Sequence, residues 1–349
     1  MITLKQVAAQ ANVSQATASL VLNGRAEELK ISDSCAERVR DAARLLGYQG
    51  NYHARTLSTG QTLTLGLVFS GVNGSVSHRL FGQLVAGVSD AARDIGYNLL
   101  LINPVSFYES HAHAVSFLET RRVDALIVIG RLSEQPETSP NKPLPIVYLN
   151  APLVDGFPVV NLDPAPGIFE AVAHLATGGH QDILWIGQAW DGLNMYPERT
   201  AAFHQACSAS GVLGRELLTN LKIEYSSHLE DHIARFRQAL TDDLVLAPST
   251  TAILCVNDLM GLALYSKLAE RGLKIPADLS VIGFDDLHAA HAIPSMTTIS
   301  HMLREMGATA VSVALQRLSY TDTDTAISSN DIRVPSRLIV RQSTKNISA

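Results

Sequence analysis

Residues 3–24 read Thr3-Leu4-Lys5-Gln6-Val7-Ala8-Ala9-Gln10-Ala11-Asn12-Val13-Ser14-Gln15-Ala16-Thr17-Ala18-Ser19-Leu20-Val21-Leu22-Asn23-Gly24. Thr3 with Gln6 forms a capping box, in which each side chain satisfies a backbone donor that the first helical turn leaves open. The helix that follows sets Leu4, Val7, Ala8 and Ala11 on one face. Asn12-Val13 makes a short turn. Ser14 caps a second helix running to about Leu22, with Thr17, Leu20 and Val21 inward and Gln15, Ala16 and Ser19 outward. Asn23-Gly24 ends it, because glycine adopts the left-handed conformation of a helix C-terminus without penalty. Further out, Ser32 starts a third helix with apolar positions Cys35, Val39, Ala42 and Leu46, stopped by Gly47. Three short helices with a tight connection between the first two fit a helix-turn-helix, whose second helix enters the major groove of DNA. A generic helical bundle is the other reading of the same pattern.

The rest of the chain bounds the answer. Its 349 residues, 46% of them hydrophobic and 17% charged, are a prior for two or three domains and exclude a collagen-like or wholly disordered chain. A net charge of −6 argues against nucleic acid when taken alone. Its distribution is uneven, however: residues 1–60 carry seven Lys/Arg against five acids, and the remainder 20 against 28. A slightly basic head on an acidic body suits a DNA-reading module. Met1-Ile2-Thr3-Leu4-Lys5-Gln6 has neither the basic start nor the apolar core of a secretion signal. The longest charge-free stretch, Thr56 to His78, is broken by polar residues and glycines, so no membrane span of about 20 apolar residues is expected. Cys35, Cys207 and Cys255 lie far apart with no CxxC, which disfavours a disulfide framework or zinc site. The expectation is a soluble cytoplasmic protein.

From Leu63 onward, short β-branched or leucine-rich runs alternate with amphipathic stretches. Strands are expected at Leu63–Phe69, Tyr97–Ile102, Ala125–Ile129, Ile146–Leu149, Ile183–Ile186, Ala252–Val256 and Ser280–Phe284. Helices are expected at Leu80–Ile95, Gly167–Leu175, Thr200–Ser210, Leu229–Leu240, Leu259–Arg271 and Arg304–Leu318. Such alternation implies an α/β body with parallel sheets and helices on both faces, and its length implies two lobes. The Pro/Ser-rich stretch Glu134–Pro145 reads as an exposed loop. No GxG pair, GxxxxGK[ST] loop, HExxH or GxSxG occurs, so the enzyme reading lacks a motif. His111/His113 and His288/His291 lack an accompanying ligand set. No metal, no cofactor and no catalytic residue is therefore expected. Trp185 sits in a strand pattern and reads as core.

The N-terminal stretch quoted above, with Ile31-Ser32, Arg38-Val39 and Ala42-Ala43-Arg44-Leu45-Leu46-Gly47-Tyr48, resembles the headpiece of the lactose-repressor (LacI/GalR) family. Asn51-Tyr52-His53-Ala54-Arg55-Thr56-Leu57 resembles that family's hinge helix. Two departures stand out: Leu20 occupies a position where the family often has an arginine, and the loop Arg25 to Lys30 is longer than usual. In the body, Pro197-Glu198-Arg199-Thr200-Ala201-Ala202-Phe203, Val256-Asn257-Asp258 with Gly261, and Gly272 through Asp286 resemble the family's effector domain. So does the ending Ile332 to Arg341, and the resemblance covers essentially the full length.

The resemblance implies a helix-turn-helix headpiece at 1–49, a hinge at 50–60 and a two-lobed periplasmic-binding-protein-like effector domain at 61–342, followed by a tail at 343–349. Lobe 1 is expected at about 61–161 and 293–321, and lobe 2 at about 162–292 and 328–341, with crossings near Asn161–Pro164, Ala292–Pro294 and Tyr320–Ser328. It implies a transcriptional regulator, in the first instance a repressor, that binds a pseudo-palindromic operator as a homodimer under control of a small polar effector, most simply a sugar. A transport protein with the same body and a metabolite-responsive activator are the alternatives. DNA contacts are expected from Thr3, Lys5, Ser14, Gln15, Ala16, Thr17, Ser19, Asn23, Asn51, Ala54, Arg55 and Leu57. Effector contacts are expected from Ser70, Phe81, Asn150, Trp190, Arg199, Asn257 and Asp285. Arginine offers a planar fork of donors, aspartate accepts from hydroxyls and asparagine does both. Each has a structural rival: Asn257 as a helix cap, Ser70 as a turn residue, Arg199 and Asp285 as a salt bridge that holds a lobe together.

Overall fold

The computed structural model describes residues 2–27, 29–48, 60–70, 79–104, 108–134, 144–188, 196–219, 229–243, 246–319 and 331–347. The chain divides into two compact units, Met1–Thr62 and Leu63–Ala349. The expected hinge, with Asn51, Ala54, Arg55 and Leu57, lies outside the described residues, as does Trp190.

In the first unit, α1 (Leu4–Ala11), α2 (Gln15–Leu22) and α3 (Asp33–Leu46) begin and end where the caps direct them. Thr3 N–H donates to Gln6 Oε1 at 2.8 Å and Gln6 N–H to Thr3 Oγ1 at 3.4 Å, closing the capping box. Ser14 Oγ accepts from Thr17 N–H at 3.0 Å. Gly47 takes φ +64° and stops α3. Val7, Val21 and Val39 are fully buried among the smaller Ala8, Ala11, Ala18, Ala36, Ala42 and Ala43. Burying each valine contributes about 1.5–3 kcal/mol. The inward set of α2 is thus Ala18 with Val21, while Thr17 and Leu20 are only half-buried. In α3, Ala36 and Ala43 join the expected Val39 and Ala42 in the core, Leu46 packs against it half-buried, and Cys35 is half-buried. Small side chains let three short helices approach closely.

The second unit holds two six-stranded sheets. The first runs β11-β5-β4-β3-β1-β2, the second β12-β10-β9-β8-β6-β7. Its strands are β1 (Thr64–Ser70), β2 (Asn98–Ile102), β3 (Ala125–Gly130), β4 (Ile146–Leu149), β5 (Val159–Asp163), β6 (Asp182–Gln188), β7 (Leu213–Thr219), β8 (Ala252–Cys255), β9 (Ser280–Asp285), β10 (Thr297–Ser300), β11 (Asp331–Pro335) and β12 (Arg337–Ile339). All pairings are parallel except β12 on β10. The described helices are α4 (Arg79–Asp94), α5 (Ser110–Glu119), α6 (Ala165–Thr177), α7 (Tyr196–Ser210), α8 (Leu229–Asp243), α9 (Asp258–Glu270) and α10 (Leu303–Leu318). Helix α10 lies against α4 at near-backbone distance. A Cβ on Gly87 would stand 2.2 Å from the Arg304 carbonyl oxygen, and one on Gly307 2.7 Å from that of Leu84. Trp185 is buried, stacked on Phe203 at 5.5 Å.

Strand pairing moves two of the expected crossings. β10 pairs in parallel with β9, so the chain remains on the second sheet through Ser300 and crosses at His301-Met302 rather than at Ala292–Pro294. β11 pairs with β5 on the first sheet and β12 with β10 on the second, so the last crossing is Ser336, not Tyr320–Ser328. Lobe 2 therefore extends to about Ser300 rather than Ala292, and β11 belongs to lobe 1. The remaining passage, from β5 to α6, follows Asp163. Ser336 laces it to the last one, its N–H donating to Asp163 O at 2.9 Å and its Oγ accepting from Gly167 N–H at 3.0 Å. The described part of the expected tail, residues 343–347, is bound to the second lobe: Val281 N–H donates to Ser343 O, His180 Nε2 lies 3.0 Å from Lys345 O, and Ile347 N–H donates to Gly178 O. Among the described residues no helix is long and apolar enough to cross a membrane.

Candidate effector site and nucleic-acid interface

In an open parallel sheet, ligands bind beyond the carboxyl ends of the strands. Ser70 and Asp285 end β1 and β9, while Asn150 and Asn257 follow β4 and β8. Arg199 lies in the first turn of α7, after β6. These sites belong to different elements but to the same kind of position.

Arg199 and Asp285 come together. The Arg199 side chain is only 5% exposed. It donates from Nη1 to Val256 O at 2.7 Å, approaches Asp285 Oδ1 from Nη2 at 3.5 Å, and lies 3.7 Å above the centroid of Phe284. Asp285 Oδ1 also takes His301 Nδ1 at 3.2 Å. His301 is buried, and its Nε2 has no hydrogen-bond partner among the described residues. Burial holds this imidazole below its ordinary pKa, against the opposing pull of Asp285. The neutral ring therefore donates from Nδ1 to the carboxylate.

The backbone here is strained. Asp285 has φ +102° and Asp286 φ +56°, a region in which side-chain-bearing residues cost about 1–3 kcal/mol each. Asp286 is tied to Arg341 Nη2 at 2.6 Å. The segment beyond is held by Asp258, whose Oδ2 accepts from the N–H groups of Leu287, His288 and Ala289 at 2.8, 3.0 and 3.2 Å, while Oδ1 takes Thr298 Oγ1 at 2.6 Å. Burial, then the nearby Asp285, pushes the Asp258 carboxyl up to about 7, and these hydrogen bonds resist the shift. The Asp285 carboxylate is thereby presented at the carboxyl end of β9, 19% exposed.

The other candidates divide. Asn150 is left-handed at φ +52° and half-exposed, its side-chain amide without a hydrogen bond among the described residues. Asn257 Oδ1 caps α9 through Met260 N–H at 2.8 Å, and Ser70 Oγ donates to Arg131 O at 2.6 Å, so both serve the scaffold. Phe81, expected to line the cleft, is a core residue set edge-on to Phe69 at 5.9 Å. Sequence reading missed Phe284, the Val256 carbonyl and His301. A histidine closing the hydroxyl-rich run Thr297-Thr298-Ile299-Ser300 was the available signal. Among the described residues no cluster of His, Cys, Asp and Glu could hold a metal.

In the headpiece, Thr3, Lys5, Ser14, Gln15, Ala16 and Asn23 are exposed, and Thr17 and Ser19 half-buried. The hydroxyls of Ser14 and Thr17 bond each other at 2.8 Å, and Asn23 Nδ2 donates to Ser19 Oγ at 3.3 Å. The outward surface of α2 is thus left to Gln15, Ala16 and Leu20, and α2 carries no charged residue.

Known proteins agree with both halves. Residues 3–51 match the family described as bacterial regulatory proteins, lacI family, and residues 172–344 match the periplasmic binding protein-like domain. An HTH-type transcriptional repressor PurR of Aliivibrio fischeri is 30% identical over 334 residues, 92% of this chain and 93% of the relative. The crystal structure of the Lac repressor bound to ONPG in the repressed state is 26% identical with a TM-score of 0.67, covering 98% of this chain and 99% of that one. The complex of the transcriptional regulator CelR with cellobiose is 25% identical with a TM-score of 0.58, covering 98% and 100%. The helix-turn-helix, the paired parallel sheets and this full-length likeness place the chain in the lacI family of DNA-binding bacterial transcriptional regulators.

Proposed function

We propose that the chain is a repressor without catalytic activity, acting in the cytoplasm as a homodimer on a pseudo-palindromic operator. Its effector is a small, neutral polyhydroxyl compound, a sugar in the first instance. The observation that carries this reading is the Arg199–Asp285–His301 cluster at the strand ends. A guanidinium already balanced by a carboxylate does not require an anionic ligand. Asp285 accepts from hydroxyls, Arg199 donates, and the half-exposed Asn150 amide does either. CelR, a relative in fold, is solved with cellobiose, and the PurR relative is named a repressor; both support the assignment. The contacts proposed are Asp285, Arg199 and Asn150, with Ser70, Asn257 and Trp190 around them. In the headpiece, Gln15 meets adenine and Lys5 and Arg25 meet phosphate.

A thermal-shift screen of sugars, phosphosugars and nucleobases tests it. A ligand at about 100 times its Kd stabilises by roughly 2.7 kcal/mol. A neutral sugar is expected to raise the melting temperature of the wild type but not of Asp285→Asn, and to change operator affinity in a gel shift. A response confined to phosphosugars or nucleobases refutes the sugar assignment.

A further inference from the structure

The outward face of α2 is uncharged and partly apolar. At about 100° per residue, Ala16 and Asn23 fall nearly opposite the buried pair Ala18 and Val21, and Leu20 lies one turn beyond Ala16 on the same face. Leu20 is half-buried, yet it is not among the apolar side chains packed on the headpiece core, which include Leu4, Leu22 and Leu46. No arginine or lysine lies between Gln15 and Leu22, so α2 cannot make the two-pronged contact with guanine O6 and N7 that those side chains supply. An apolar side chain at the floor of the major groove has one apolar partner there, the C5-methyl group of thymine.

We propose that Leu20, with Ala16 beside it, reads a thymine methyl in each half-site, so that α2 selects A·T pairs and excludes a required guanine beneath Leu20. This rests on the DNA-binding role of the headpiece and names what it recognises. Gln15 completes the set, its amide pairing with adenine N6 and N7. Affinity then falls to phosphate contacts from cations outside α2, Lys5, Arg25 and Lys30 among them.

The test needs no effector. Binding sites are selected from random duplex DNA with the full-length chain and with Leu20→Arg and Leu20→Ala. The wild type is expected to recover an A·T pair at the position where Leu20→Arg recovers guanine. Each thymine of the recovered site is then replaced singly by deoxyuridine, which deletes only the C5-methyl. One such replacement per half-site is expected to weaken wild-type binding about fourfold, the effect of one buried methyl-sized group, and to leave Leu20→Ala unaffected. Leu20→Ala is expected to melt within about 2 °C of the wild type. A wild-type guanine at the position altered in Leu20→Arg, indifference to deoxyuridine at every thymine, or a markedly lower melting point for Leu20→Ala overturns the assignment. A pool that yields no motif overturns the DNA role itself.

Discussion

Arg199→Met separates the guanidinium from the hydrocarbon that carries it. Methionine retains an apolar stem over Phe284 and loses every donor. At least three interactions go with the charge. The 2.7 Å bond to the Val256 carbonyl is charge-assisted and buried, and such bonds contribute about 1.5–3 kcal/mol. The cation 3.7 Å above the Phe284 ring adds about 1–2 kcal/mol when desolvated. The contact with Asp285 is long, at 3.5 Å, but largely buried, and leaving that carboxylate without the guanidinium costs about a further 1–3 kcal/mol. Methionine packing recovers part of this, leaving a net loss of about 3 kcal/mol. For a unit the size of residues 63–349 each kcal/mol moves the midpoint by roughly 1.5–2.5 °C, so calorimetry should show a fall of about 5–7 °C without ligand. Asp285→Asn keeps an acceptor for Arg199 and for His301 Nδ1, and should move the midpoint by only about 2 °C. Of the two, Asp285→Asn is thus the cleaner probe of ligand binding. A fall below about 3 °C for Arg199→Met would refute the view that this guanidinium holds the lobe as well as the ligand.

Gly87→Ala must push α4 off the Arg304 backbone; overpacking of this kind costs about 1–3 kcal/mol, and denaturant melts should show a lower midpoint, unchanged behaviour refuting the close contact. Ser14→Ala removes the cap of α2 and should destabilise the headpiece by about 1 kcal/mol, read by the temperature at which operator binding is lost; an identical temperature counts against it. His180 is held below its ordinary pKa by burial, so it stays neutral in the fold while the unfolded chain takes up protons near pH 6.5. Its contribution is therefore present above about pH 6.5 and lost as pH falls through its depressed folded value; the wild type should outlast His180→Gln by more at pH 8 than at pH 5, and an equal gap at both would contradict this.

The strands that sequence reading found are those whose burial shows as apolar runs, such as Ala125–Ile129 and Ile183–Ile186. Two of those it missed, β5 and β10, are buried by means of distant partners. In β5, Asn161 is buried because its amide exchanges bonds with Ala151, O and N, at 2.9 and 3.1 Å. In β10, Thr298 gives its hydroxyl to Asp258, and Thr297 Oγ1 accepts from Arg341 N–H at 2.9 Å. A run of threonines looks like a loop until those partners are in place. β7 is a largely exposed edge strand with Arg215 and Glu216 in it, so it lacks the apolar signal altogether. Missing β10 displaced the middle crossing, and with it the position of His301. The site was legible where a motif carried it, as at Arg199 and Asp285. It was illegible where β9–β10 pairing carries it, since only that register brings His301 to a carboxylate 16 residues earlier.

Glu198 and Arg199 are consecutive on α7 but answer to different lobes. Arg199 faces Val256 and Asp285 in the second lobe. Glu198 Oε2 and Oε1 accept from Arg333 Nη1 and Nη2 at 2.9 and 3.4 Å, and Arg333 belongs to β11 on the first sheet. Arg333 also donates to Asp331 and to the Leu162 carbonyl, at the edge of two crossings. The Glu198 side chain is 48% exposed and that of Arg333 31%, which limits the pair to about 1 kcal/mol or less. The buried Arg199 contacts are worth several times that. On the proposed reading, a ligand shifts the lobes only by its difference in affinity for their two arrangements; a tenfold preference, about 1.4 kcal/mol, outweighs the Glu198–Arg333 pair but not the Arg199 contacts. The order of yielding follows from those magnitudes. On that reading the Glu198–Arg333 contact, one of several between the lobes, yields before the Arg199 site does, with the crossings at His301-Met302 and Ser336 as the points about which the lobes turn.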